Sequence, residues 1–130
     1  MTAPEVRIVH DWHEALNCGD ADRLVELSHP DVEVGGPRGS GHGARLLQEW
    51  VNRANIRLEP RRFFHRAETV VVEEEAEWRS PDTGEITGSQ TVGSVFVVRD
   101  GRVARVTRYD DLAGALEVAK VGGSHEVGVV

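Results

Sequence analysis

The chain is short of the residues that staple small folds, grip nucleic acid or cross membranes. Its 130 residues include one cysteine, Cys18, and one lysine, Lys120. A single cysteine closes no intrachain disulfide, which fits a reducing compartment. Flanked by Asn17 and Gly19, with no basic neighbour, Cys18 reads as a small packed thiol rather than a nucleophile. No apolar run approaches the roughly 18 residues of a membrane helix. The first residues, Met1 to Arg7, lack the basic-then-apolar pattern of a secretory signal, so the expectation is a cytoplasmic protein with no membrane partner. Acids outnumber bases 22 to 15, for a formal net charge of −7. That is the reverse of a nucleic-acid-binding footprint, and no nucleic-acid partner is expected. Residues 35–43 hold five glycines but lack the Gly-Lys-Ser/Thr ending of a phosphate loop. His10 and His13 offer two imidazoles without a third ligand beside them, so neither a metal nor a cofactor is expected.

What remains suffices for one compact domain. A chain of this length buries roughly two-thirds of the surface its unfolded form exposes, enough for a core without a metal or disulfide. Thr2 to Glu5 has the spacing of a capping box, with Pro4 in the first turn. Ile8, Val9, Trp12, Ala15 and Leu16 then recur at helical spacing and predict a helix over about 4–17. Asp20 caps a second helix with Ala21, Leu24, Val25 and Leu27 on its apolar face, stopped by His29-Pro30. A short extended piece, 32–34, precedes the glycine-rich loop, and Leu46, Leu47, Trp50 and Val51 mark a third helix over about 44–54. The rest alternates: strands are predicted at 58–65, 70–79, 91–98 and 103–109, the last two joined at Asp100-Gly101 by the strongest hairpin signal in the chain. Helices followed by a meander of strands predict an α+β fold with helices on one face of a bent antiparallel sheet. The domain is expected over 1–116, and the Gly- and Val-rich stretch 117–130 reads as a tail, poorly packed or docked on a neighbour.

Strand alternation nominates the side chains that face a pocket. Ser94, Phe96 and Val98 share one face, with Val95 and Val97 on the other. Val106, Arg108 and Asp110 share a face on the last strand. Val70, Val72, Glu74, Ala76 and Trp78 form an apolar set with one carboxylate in it. A buried carboxylate must be paired or neutralised, and an arginine such as Arg108 or Arg61, or a bulge that turns Glu74 outward, would answer that need. Arg108 with Asp110 could bind a carbonyl and move a proton, or form a structural ion pair at the rim. Trp12, Trp50 and Trp78 could line a site for a flat ligand or simply fill the core. His42, with Arg38 upstream, could help the third helix hold an anion or serve as a loop residue. Arg53, Arg57, Arg61, Arg62 and Arg66 form a basic cluster with Glu73 to Glu75 as cross-strand partners.

The segment Trp12-His-Glu-Ala-Leu-Asn-Cys-Gly-Asp20 resembles the first-helix signature of the nuclear transport factor 2-like superfamily, in particular its SnoaL-like branch. The likeness continues through Leu24 to Leu27, the glycine-rich loop, and Val95 to Asp111, covering about residues 5 to 115. The resemblance implies a cone-shaped barrel: a strongly bent antiparallel sheet wrapped around three N-terminal helices and enclosing a pocket. It also implies a homodimer through the outer face of the sheet. The superfamily holds isomerases, hydrolases, dehydratases, cyclases and binders, so the fold does not decide the function. Position by position, the oxyanion-hole tyrosine of ketosteroid isomerase falls on Trp12, its base on Gly36, and its second aspartate on or beside Ser94. The water-activating aspartate of limonene epoxide hydrolase falls on Arg108. Asp110 is the nearest candidate for the aspartate of the SnoaL-type cyclases, and His42 and His65 for the histidines of scytalone dehydratase. Function is therefore expected as small-molecule binding, with Trp12, His42, Trp50, Trp78, Ser94 and Phe96 as binding residues. The catalytic alternative is a cofactor-independent cyclase, isomerase, dehydratase or hydrolase using Asp110 or Glu74 as acid or base and Arg108 as electrophile. A non-catalytic dimeric assembly module is the third reading.

Overall fold

A computed structural model describes residues 3–36, 39–54, 56–80 and 82–127, without the side chains of residues 50–56. Helix α1, Pro4–Cys18, starts on an extended Ala3 with proline at its N-terminal end; the expected Thr2 cap lies outside the described residues. Asp20 caps α2, Ala21–Glu26, by accepting from the Arg23 N–H at 3.1 Å. The second helix stops earlier than His29-Pro30. Ser28 Oγ donates back to the Leu24 carbonyl at 2.8 Å, and the Val103 N–H bonds the Leu27 carbonyl, so the chain turns at once into strand β1, Ser28–Gly36. Strand β2, Gly39–His42, pairs back on β1, and α3, Ala44–Ala54, follows.

The remaining strands run longer than their apolar cores suggest: β3, Ile56–Arg66; β4, Thr69–Arg79; β5, Ile86–Arg99; and β6, Arg102–Tyr109. Asp100 (φ 53°) and Gly101 (φ 76°) close the β5–β6 hairpin in the left-handed conformation that matches strand twist. After β6 come α4, Leu112–Ala119, a single 3₁₀ turn, and β7, Glu126–Val127. The described residues form one curled sheet in the order β2-β1-β6-β5-β4-β3-β7. Two expectations change. The sheet is open, with β2 and β7 at its edges, so the cone is not a closed barrel. It is also mixed, because β1 joins β6 in parallel. That parallel pairing places the helical half of the chain beside the last strand of the meander, where the site forms.

One face of the sheet packs on the helices. Val6, Val9, Trp12, Leu16, Leu24 and Leu47 from α1, α2 and α3 meet Val70, Val72, Phe96 and Val103, all buried. Each such side chain contributes about 1.5–3 kcal/mol of burial. The opposite face carries a second, smaller core: Phe64, Val71 and Val95 lie under Ala115 of α4 and Val121. Val95 does point outward as alternation predicts, but α4 of the same chain covers it. Beyond Leu116 the chain is anchored at buried Val121 and half-buried Val127, with most of the residues between them exposed, and β7 pairs with β3 at Phe63 and Phe64. Glu126 accepts two hydrogen bonds from Arg62, at 2.9 and 3.0 Å. That contact holds the Glu126 carboxyl below the usual range and raises Arg62 above its own. Arg62 lies opposite Glu73 in the β3–β4 register, yet its ion pair goes to Glu126. Cys18, on the last turn of α1, is exposed, not packed.

Gly93 is what lets α4 close on the sheet. A Cβ there would stand 2.8 Å from the Asp111 carbonyl oxygen, 2.9 Å from Leu112 Cα and 2.9 Å from Ala115 Cβ. Two of these are backbone atoms that cannot swing away. Gly93→Ala should therefore destabilise the domain by about 1–3 kcal/mol, read as a lower urea midpoint at unchanged slope. A midpoint equal to wild type would mean that α4 does not seat this closely.

Candidate active site and ligand pocket

Two polar residues lie on otherwise apolar faces, and the fold brings them together. His13 shares the inner face of α1 with Val6, Val9 and Leu16, and Glu74 shares the inner face of β4 with Val70, Val72 and Ala76. His13 is 1% exposed and Glu74 is 0% exposed. His13 Nε2 meets Glu74 Oε2 in a short hydrogen bond, and Ser94 Oγ donates to Glu74 Oε1 at 2.5 Å. His13 Nδ1 lies 2.7 Å from the Val9 carbonyl oxygen, which can only accept, so Nδ1 carries a proton and donates it. That leaves Nε2 facing the carboxylate, with one proton between the two groups on that side. Among the described residues no buried side-chain polar atom lacks a partner. Glu74 thus finds its partner in His13, where the sequence suggested Arg108, Arg61 or a bulge.

The order of this chain decides its chemistry. In a nucleophilic triad the histidine stands next to the serine and takes its proton. Here the carboxylate stands between them, so Ser94 hands its hydrogen to a weakly basic acceptor and is not activated as a nucleophile.

Ser94 is also where the buried chain reaches a cavity. A pocket of about 200 Å³ is lined by Trp12, Val34, Gly35, Gly36, Gly39, Leu58, Ser94, Val106 and Arg108. Each element contributes through the topology already described: α1 gives Trp12, the β1–β2 hairpin its wall of glycines, β3 Leu58, and β5 with β6 the pair Ser94 and Arg108. Those two are direct register partners, so their side chains stand on the same face. Gly36 adds room: a Cβ built there meets nothing within 4 Å. The Trp12 Nε1–H donates to Ser28 Oγ at 3.3 Å, which turns its polar edge into the wall. The Arg108 guanidinium lies 5.9 Å from the centre of the Trp78 ring and makes no ion pair among the described residues.

The predicted site residues divide accordingly. Trp12, Ser94 and Arg108 line the pocket, and Glu74 lies directly behind Ser94. Phe96 is fully buried, edge-on to Trp12 with ring centres 5.1 Å apart, and acts as core beneath the pocket. Trp78 stands beside the Arg108 guanidinium rather than in the lining. Asp110 is exposed and lies outside the pocket. Strand β6 ends at Tyr109, and the chain turns outward there so that Asp111 can cap α4 by accepting from the Gly114 N–H at 2.7 Å. Arg108 and Asp110 therefore do not act as a pair. His42 is exposed on the edge strand β2, 3.2 Å from Glu33, and does not cap α3. His65 instead meets Glu5 at 3.1 Å and is not brought to His42. The Trp50 side chain and Arg38 lie outside the described residues. Val106 lines the pocket as alternation predicts, whereas Val34 and Leu58 in the lining and His13 behind Glu74 are contributors the sequence patterns did not nominate.

A family model for the SnoaL-like domain matches residues 9–106. The chain belongs to the SnoaL-like family, within the nuclear transport factor 2-like superfamily. Among solved structures, a candidate polyketide cyclase of Xanthomonas campestris is 25% identical with a TM-score of 0.68, over 85% of this chain and 93% of that one. TerC, co-crystallised with polyporic acid, is 22% identical with a TM-score of 0.72, over 91% and 99% of the two chains. An NTF2-like protein of unknown function from Cytophaga hutchinsonii is 12% identical with a TM-score of 0.72, over 88% and 96%. No curated protein matches the sequence. No helix of this SnoaL-like domain is long and apolar enough to cross a membrane, among the described residues.

The buried chain makes a stability prediction. Glu74→Ala strands the His13 Nε2 and the Ser94 hydroxyl in the core and should cost about 3–5 kcal/mol. Glu74→Gln keeps an acceptor for Ser94 and a donor for His13 and should cost only about 1–2 kcal/mol. Urea denaturation of both against Glu73→Ala checks the ranking; equal losses for Glu74→Ala and Glu73→Ala would contradict it.

Proposed function

We propose that the pocket binds one small, largely apolar, planar molecule whose hydrogen-bond-accepting oxygen meets Arg108. The observation that carries this reading is the composition of the lining: six apolar or glycine walls and an indole face, with one cation that no carboxylate neutralises among the described residues. A cavity of about 150 Å³ accommodates benzene, so this pocket suits a single substituted ring. Arg108 offers planar donors to a carbonyl or carboxylate, and the neighbouring Trp78 ring keeps the guanidinium oriented. One similar structure is that of a candidate polyketide cyclase, and TerC was co-crystallised with polyporic acid; both support a small-molecule ligand for this fold.

Catalysis is the second reading, favoured by one observation. A buried carboxylate–imidazole pair, Glu74 with His13, lies directly behind Ser94 in the pocket wall, and paired groups of this kind serve acid–base chemistry in enzymes. Among the described residues, however, the lining holds no carboxylate or imidazole to act as a base. Binding is therefore the better-supported function of this site.

The test is titration calorimetry with monocyclic aromatic acids and ketones. Wild type should bind members of that set, Val106→Phe should fill the cavity and abolish binding while the domain stays folded, and Arg108→Met should weaken the acids about ten- to a hundredfold. A full set of silent titrations, or an Arg108→Met variant that binds acids as well as wild type, would overturn the reading.

A further inference from the structure

The pocket's polar groups are not interchangeable, and the buried chain behind it fixes their sense. A serine hydroxyl has one hydrogen to give and two lone pairs to receive with. The Ser94 hydrogen is committed to Glu74 Oε1 at 2.5 Å, the spacing of a charge-assisted bond. Glu74 cannot release it by turning, because its other oxygen is held by His13. His13 cannot turn either, because Nδ1 is tied to the Val9 carbonyl one helical turn back at 2.7 Å. Whether the shared proton sits on His13 Nε2 or on Glu74 Oε2, Glu74 Oε1 remains an acceptor. Ser94 therefore shows the pocket lone pairs only.

Arg108, its cross-strand partner, shows hydrogens only. Trp12 has spent its N–H on Ser28. Among the described residues, the lining's side chains thus present one acceptor and one cationic donor on the same face of the sheet, with apolar walls around them. We infer that the ligand is a small ring carrying both an anionic or carbonyl oxygen for Arg108 and a hydroxyl that donates to Ser94, that is, a hydroxy-substituted aromatic acid or ketone. This rests on the pocket reading above and adds the second group. Ser94 is then a specificity-determining residue, with Glu74 and His13 positioning it.

The experiment needs no variant in its first arm. Benzoate, the three hydroxybenzoates and the three methoxybenzoates are titrated into the wild-type protein by calorimetry. At least one hydroxybenzoate should bind about tenfold tighter than benzoate and than its own methoxy counterpart, which has the same oxygen but nothing to donate. In the second arm Ser94→Ala, shown to be folded by its melting transition, should bring that hydroxybenzoate to within about twofold of benzoate. A methoxybenzoate that binds as well as its hydroxy counterpart overturns the inference and leaves the pocket reading standing. A preference for the hydroxyl that survives in Ser94→Ala overturns the assignment to Ser94. Failure of the whole series to bind wild type overturns the pocket reading and this inference with it.

Discussion

A carboxylate at the centre of an apolar core must be matched by donors, and the way Glu74 is matched governs the rest of the site. Placing it there without partners would cost more than any single apolar contact returns. The match comes from two directions: His13 across the helix–sheet interface and Ser94 from the next strand. This ties α1, β4 and β5 together at one point, directly below the pocket. It also consumes the one hydrogen Ser94 could have offered a ligand. Stability and the pocket's polarity are therefore consequences of the same three side chains.

The surrounding architecture serves that point. The parallel pairing of β1 with β6 brings the glycine-rich hairpin opposite Ser94 and Arg108. Gly36 leaves space in the pocket wall, and Arg108 brings a cation to it. On the far side, α4 closes over Val95 because Gly93 permits backbone contact, which brings Ala115 and Val121 into the core.

Much of this was legible in the sequence, for definite physical reasons. The helices over 4–17 and 44–54, the hairpin at Asp100-Gly101 and the inward set Val70, Val72, Glu74 and Ala76 follow from periodicities that the core enforces. Glu74 could be recognised as out of place on its own strand. Its partner was also visible in principle, because His13 interrupts the α1 stripe Val6, Val9, Leu16 in the same way. Two misplaced polar residues on two apolar faces are a pairing signal, but an arginine is the commoner partner for a buried carboxylate, and the His10 and His13 spacing draws attention to metal binding instead. Asp110 failed for a different reason. Alternation holds only while the strand lasts, and β6 ends one residue earlier, at Tyr109. The early start of β1 and its parallel partner depend on long-range pairing that no local pattern reports.

The central claim is that His13, Glu74 and Ser94 form one locked hydrogen-bonded chain. Nitrogen-15 spectra of the histidine side chains test it directly. The account predicts a protonated His13 Nδ1 and a proton on the Nε2–Glu74 bond that both exchange with solvent far more slowly than ring protons of the exposed His42, with the Nε2 signal altered in Glu74→Gln. Ring protons of His13 that exchange as fast as those of His42, or spectra indifferent to Glu74→Gln, would contradict it.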